Sequence, residues 1–290
     1  QVFDGTSERP MKIESRDGLE PLGWMVSNQA LRRAAYAAAK DLDGIAWHLS
    51  RRMNRIDINE DAARVELDDG SCITARLTIA ADSRFSSARR AAGLSARMHD
   101  FGRTMLVCRM QLQKPVPGVA WEWLDYGQTL ALLPLNADMA SVVITLPPAE
   151  TERLCALPAH EFEIEVERRF RHRLGSMRLI GNRYPYPLVG VRPDNIVSRR
   201  FACIGDAAIG MHPITAHGYN LGLRGIALLG DRIQSALDGG KDFAGNEVLS
   251  GFQADFLAIA RPLYFSTLSI VRLYSDDRAP AKFLRRAGLH

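Results

Sequence analysis

The stretch FACIGDAAIGMHPITAHGYNLGLRGIALLGDRI, residues 201–233, constrains this chain more than any other. An apolar run from Phe201 to Ile204 meets Gly205-Asp206. His212, Pro213, Gly218 and Asn220 follow, and then an apolar segment with helical spacing. A buried strand that stops at Gly-Asp and turns into a helix leaves a carboxylate just past the strand end. In open α/β sheets, ligands bind outside the carboxyl ends of the strands. Gly205 lets a ligand approach the backbone closely. Asp206 can accept hydrogen bonds from sugar or polyol hydroxyls, and Pro213 fixes the loop. Free N–H groups where the helix starts, near Asn220, attract anions or polarised carbonyls. The alternative is an ordinary βα turn in which Asp206 caps a helix.

The remaining segments divide around that stretch. SNQALRRAAYAAAKD (27–41) has helical spacing, with Ser27 or Asn28 as cap and Leu31, Ala34, Ala35 and Ala38 on one face. IAWHLS (45–50) reads as a short strand, and 51–82 as three strands with a hairpin turn at Asp69-Gly70. LTIAAD, the last of them, reads as a buried strand ending in Asp82. SRFSSARRAAG (83–93) begins a helix, capped by serine and stopped at Gly93. From 96 to 195, RTMLVCRMQLQ, AWEWLDY, QTLALLPLN and MASVVITLP recur at near-regular spacing, as in an antiparallel sheet, with one helix at 159–175. Residues 1–24 read as a hairpin or small meander, and 250–275 as a helix broken or kinked at Pro262. A parallel α/β part at 25–95 and 196–260 thus encloses a β-rich part at 1–24 and 96–195, with 261–290 as a C-terminal helical segment.

Composition narrows the class. The 290 residues are 47% hydrophobic and 24% charged, values of a globular protein. The net charge is +4, and the arginines are scattered in pairs such as Arg51-Arg52 and Arg89-Arg90, without interleaved aromatics. That pattern argues against nucleic-acid binding but tolerates an anionic cofactor or an acidic lipid surface. Apolar runs stay shorter than the ~18 residues a membrane span needs. Cys72, Cys108, Cys155 and Cys203 are far apart with no CxxC, which argues against a metal site and fits a reducing cytoplasm. Cys203, in the apolar run, reads as a small buried hydrophobe.

Three motifs together resemble the class A flavoprotein aromatic hydroxylases, and within them the branch that hydroxylates ubiquinone precursors. The first is Gly-Asp-Ala-Ala at 205–208, then His212-Pro213, then Thr215-Ala216-His217-Gly218-Tyr219-Asn220-Leu221-Gly222. The resemblance implies that Gly205 and Asp206 meet the ribityl chain of FAD, and that Pro213, Thr215, Ala216, His217, Gly218, Tyr219 and Asn220 line the flavin ring. His212 shapes that loop, and no proton-transfer role goes to it or to His217. The second is ADSRFSSARRAAG, in which Asp82, Ser86 and Arg89 match the family's Asp-Gly-x-x-Ser-x-x-Arg and Ser83 replaces its glycine. It implies that Asp82 and Arg89 lie near the FAD pyrophosphate and the nicotinamide coenzyme. The structural alternative is a plain helix cap with solvated arginines. The third is the helix at 27–41, where Asn28 takes the family's FAD-touching position.

The implied fold is α/β: a Rossmann-like parallel sheet that binds FAD, interleaved with a mostly antiparallel substrate domain. Leu133, Pro134 and Tyr186 are candidate substrate-pocket residues; Trp121 and Trp123 read as packing residues. The implied activity is hydroxylation of a phenolic ring, possessing or lacking a polyprenyl tail, with FAD as cofactor, NAD(P)H as co-substrate, O₂ as oxidant and no catalytic side chain or metal. The family's Gly-x-Gly-x-x-Gly, which cradles the ADP half of FAD, is absent here; the expectation is that it lies upstream of Gln1, the alternative being a truncated protein whose FAD binding is weak or lost. Implied partners are a small aromatic substrate, the inner membrane surface or a biosynthetic complex, and a second copy of the chain; the helical segment at 256–274 is either a membrane contact or a packing helix. Two rivals share these motifs: another FAD oxidoreductase, of prenyl reductase or halogenase type, and a non-catalytic assembly component.

Overall fold

A computed structural model describes residues 1–5, 7, 9–14, 20–125 and 127–275. In chain order its elements begin with β1 (Val2–Asp4), α1 (Asn28–Ala39), β2 (Met53–Ile58), β3 (Ala63–Leu67), β4 (Cys72–Ala75), β5 (Thr78–Ala80) and α2 (Ser87–Ala91). Then come β6 (Ala96–Leu112), β7 (Trp121–Asp125), β8 (Gln128–Pro134), β9 (Met139–Leu146), α3 (Pro148–Ala156), α4 (Ala159–Arg169) and β10 (Met177–Pro193). The last are β11 (Val197–Ser198), β12 (Phe201–Cys203), α5 (Gly205–Ala208), a 3-10 turn (Pro213–Thr215), α6 (Gly218–Asp238) and α7 (Asn246–Ser275). The chain forms two compact units. The first holds Gln1–Ala46 and Gly102–Leu188, and the second holds Trp47–Phe101 and Val189–Arg272. Residues 25–46, read above with the FAD-binding segments, group with the first unit, and 261–272 with the second.

The first unit is built on a sheet of order β1-β7-β8-β9-β6-β10. Its alternating sequence explains its two faces. Along β9, Ala140, Val142, Ile144 and Leu146 are buried, as are Leu106, Cys108, Met110 and Leu112 along β6. They pack with Leu154, Phe162, Val166 and Phe170 from the helical stretch that follows β9. β1 pairs parallel with β7, and Trp123 Nε1 donates to Gly5 O at 2.9 Å. Both tryptophans of β7 are buried in packing against Phe3.

The second unit contains the parallel pair β5–β12, with β11 antiparallel at its side, and the meander β2-β3-β4. Phe201, Ala202 and Cys203 are fully buried and share a core with Leu229 of α6 and Leu249, Phe252 and Phe256 of α7. Burial pushes the Cys203 thiol up to about 12, so it packs as an apolar residue. By length and composition, Asn246–Leu273 of α7 is apolar enough to cross a membrane, with a mean hydropathy of 1.3. Yet Leu249, Phe252, Phe256 and Ala260 of that helix lie in the core of the unit.

Several local expectations are corrected. Residues 45–48 form no strand: Ile45 and Trp47 have strand propensity, but both are exposed, and the segment joins none of the sheets among the described residues. The 51–82 region makes four strands rather than three, because the turn after β4 starts a separate β5. Ile79 in β5 is exposed, so LTIAAD is buried on one face only. A further helix, α3, precedes α4. α7 runs unbroken through Pro262. Among the described residues the N-terminal meander reduces to an antiparallel bridge between Val2 and Met11; its middle, 15–19, lies outside the described residues, as does 276–290 of the C-terminal segment.

Candidate functional site

The strand-to-helix turn after β12 is built as its residues dictate. Ile204 N–H still donates to Ala80 O at 2.9 Å, so the ladder extends to the last residue before Gly205. Gly205 then takes a φ of +56°, a left-handed conformation costly for side-chain-bearing residues. No atom lies within 4 Å of the position a Cβ would take there, or at Gly218. A Cβ on Gly222 would sit 3.5 Å from Gly205 Cα, so the first turns of α6 pack closely on this bend. Space is therefore open beside Gly205 and beside Gly218.

Asp206 sits in the first turn of α5 but does not act as a helix cap. Its Oδ2 accepts from Arg84 Nε at 3.1 Å and Nη2 at 2.9 Å. Its Oδ1 has no hydrogen-bond partner among the described residues, and the side chain is 42% exposed. Arg84 Nη1 donates to Val189 O at 3.1 Å. Arg84 escaped the sequence reading because it carries no motif position; only its place two residues after Asp82 could have drawn attention to it.

The loop from 212 to 220 forms a second wall. His212 caps the 3-10 turn, with Nδ1 accepting from Ile214 N–H at 3.2 Å. Burial first, and the Arg84 charge second, lower its pKa to about 4, so the ring is neutral at pH 7 and Nδ1 stays an acceptor. Its ring meets Phe101 edge-on at 4.7 Å. Thr215 Oγ1 shares a hydrogen bond of 3.0 Å with Thr267 Oγ1 of α7. Ala216 adopts a left-handed conformation, φ +51°, and turns the chain into α6. His217, Gly218, Tyr219 and Asn220 are exposed, and the start of α6 has no side-chain cap. Its first N–H groups therefore face solvent with the positive end of the helix dipole.

The second motif builds the start of α2. Asp82 Oδ2 accepts from Ser87 N–H at 2.9 Å and Ala88 N–H at 3.4 Å, and Ser86 Oγ accepts from Arg89 N–H at 2.9 Å. Burial works to raise the Asp82 pKa, but the Ser86 hydroxyl first, and then backbone N–H groups including that of Ala88, hold it below the usual range. Arg89, whose structural alternative was a solvated arginine, is 1% exposed. Its Nη1 donates to Ala207 O at 2.8 Å and its Nη2 to Arg84 O at 3.1 Å. It ties α2 to α5 from within, since a buried guanidinium must find carbonyl or carboxylate acceptors.

The other candidates lie in the first unit. Asn28 is exposed at the start of α1, whose cap is Ser27: Oγ accepts from Ala30 N–H at 3.2 Å. Leu133 and Pro134 end β8, half-buried, and Tyr186 is exposed on β10.

Residues 25–263 match the family described as FAD binding domain. A ubiquinone hydroxylase of Neisseria meningitidis, UbiM, is 38% identical over 99% of this chain and 64% of its own length. A ubiquinone hydroxylase of Rhodospirillum rubrum, UbiL, is 33% identical over 100% of this chain and 67% of its own. The chain thus spans about two thirds of the length of these curated relatives. The crystal structure of pqsL from Pseudomonas aeruginosa has the same fold, with a TM-score of 0.74 over 90% of this chain and 72% of that one at 22% identity.

Proposed function

The chain belongs to the FAD binding domain family, and from that premise we propose that its protein is an FAD-dependent monooxygenase that hydroxylates an aromatic ring, with NAD(P)H as reductant and O₂ as oxidant. The substrate we propose is a phenolic ubiquinone precursor, by likeness to the two ubiquinone hydroxylases. A polyprenyl tail on that substrate would bring the protein to a membrane surface.

The observation that carries this reading is the fit of the second unit to the cofactor. Open space lies beside Gly205 and Gly218. A carboxylate oxygen of Asp206, the residue after Gly205, is unengaged among the described residues. An uncapped helix start stands at Gly218–Asn220. Polyol hydroxyls and a polar ring edge need such acceptors and donors.

Bound FAD supplies the oxidising chemistry. The protein's residues do the holding. Asp206 would accept a hydrogen bond from a hydroxyl of the cofactor's sugar-alcohol linker. The N–H groups of Gly218, Tyr219 and Asn220, at the positive end of α6, would favour negative charge on a bound flavin ring. Neutral His212 fixes the 213–215 turn, and Thr267 anchors Thr215 to α7. None of these groups needs to exchange a proton with substrate.

The test is NAD(P)H-dependent O₂ uptake by the intact, flavin-loaded protein with phenolic substrates, with products weighed by mass spectrometry. A product heavier by one oxygen atom is expected. Coenzyme oxidation with no hydroxylated product would favour another FAD oxidoreductase, and a purified protein without flavin absorbance would favour the non-catalytic reading.

A further inference from the structure

We infer that Arg84 is a positioning residue of the flavin site: it pins one oxygen of Asp206 and leaves the other as the acceptor for the cofactor's linker. This rests on the assignment of Asp206 proposed above. Both Arg84–Asp206 hydrogen bonds fall on the same oxygen, Oδ2. An ionised carboxylate is acceptor-only, so Oδ1 keeps its lone pairs for a hydroxyl donor. The third contact, Nη1 to Val189 O at 3.1 Å, ties the same guanidinium to the backbone of β10. A planar fork with fixed donors can serve both acceptors at once, which a lysine ammonium on a flexible stem cannot do with the same geometry.

The residue is held along its whole length. Its backbone carbonyl receives Arg89 Nη2, and Arg89 is buried. Its stem passes over Gly210, where an added Cβ would meet Arg84 Cβ at 2.7 Å. Gly210 is itself fixed to Val191 by a reciprocal pair of backbone hydrogen bonds, both 2.8 Å. An unanchored surface arginine would lose several rotatable bonds' worth of freedom on pairing with Asp206. This one is already confined before any ligand arrives.

The experiment measures the FAD dissociation constant of the intact apoprotein by flavin fluorescence, for wild type, D206N, R84Q, R84K and the double variant D206N/R84Q. D206N and R84Q are each expected to weaken FAD about tenfold, the scale of one charge-assisted hydrogen bond. The double variant should bind no worse than D206N alone, because Arg84 acts through Asp206. A purely structural Arg84 would instead lower the apoprotein's melting temperature and add its effect to that of D206N. If D206N weakens FAD and R84Q leaves it within twofold of wild type, Arg84 has no positioning role. If D206N itself leaves FAD binding unchanged, the assignment of Asp206 fails first. Should R84Q not fold, R84K decides: it keeps charge and stem, and wild-type affinity in R84K overturns the inference.

Discussion

Two arginine–carboxylate assemblies occupy the two units and are finished differently. In the first unit, Arg169 is 8% exposed and donates through Nε and Nη2 to Glu165 Oε1, through Nη2 to Glu150 Oε1, and through Nη1 to the Gln128 side-chain oxygen. Arg153 and Arg168 cover the same two glutamates from outside. In the second unit, Arg84 reaches Asp206 at 2.9 and 3.1 Å, but one carboxylate oxygen is left unengaged among the described residues, next in the chain to Gly205 with its open space at Cβ. Closeness of a pair therefore does not mark a site. What differs is the carboxylate itself: an oxygen left without a donor can still accept from a ligand, and one already saturated cannot.

The largest effect that would sharpen this contrast comes from Arg169. Removing one member of a buried ion-pair cluster leaves its carboxylates under-compensated, so R169M should destabilise the protein by about 3 kcal/mol, measured by denaturant titration. FAD affinity, measured in parallel, should stay within twofold of wild type. A large loss of FAD affinity with unchanged stability would erase the distinction between scaffold and site.

What the amino-acid pattern disclosed follows the same division. The β12–α6 motif was legible because its chemistry is local: Gly205 needs positive φ, Ser86 and Asp82 cap α2, and α6 has a clear apolar period. The antiparallel strands were legible from their near-regular spacing, and burial alternates along β9 and along β6 from Leu106 onward. Arg84 and Arg89 were not, because a guanidinium's acceptors are fixed by tertiary contact: Asp206 lies 122 positions from Arg84, and Ala207 lies 118 from Arg89. The strand expected at 45–50 failed for the complementary reason, propensity without a partner strand. Pro262 did not break α7, since packing of Phe256, Ala260 and Tyr264 into the core offsets one missing N–H.

A smaller effect separates the two units by pH. His212, in the second unit, has a folded pKa of about 4 against an ordinary 6.5, lowered by burial and by Arg84. As pH falls, the unfolded chain takes up this proton first. The stability held by the neutral ring is full above pH 6.5 and is lost on the way down to about 4, on the order of 2 kcal/mol. H212N should remove that slope, because an asparagine oxygen can still accept from Ile214 N–H while carrying no titrating group. The check is unfolding free energy measured at intervals across the window; an unchanged slope in H212N would assign it elsewhere.

The smallest effect belongs to the first unit and falls at lower pH. Glu150 is held at about 2, from an ordinary 4.5, chiefly by its hydrogen bonds from Arg153 and also by Arg169. A depressed carboxylate contributes stability that is present above pH 4.5 and is lost as pH falls toward 2. Its side chain is 32% exposed and its main partner Arg153 50%, so solvent screens the contribution to about 1 kcal/mol. E150Q should flatten the acid limb below pH 4.5 by that amount and leave the limb above it untouched. High salt should shrink the Glu150 step more than the His212 step, since the exposed pair is screened and the buried ring's desolvation is not. Equal salt sensitivity of the two steps would show that the two regions do not differ in how far water reaches their charges, and the contrast between closed and open assemblies would then rest on geometry alone.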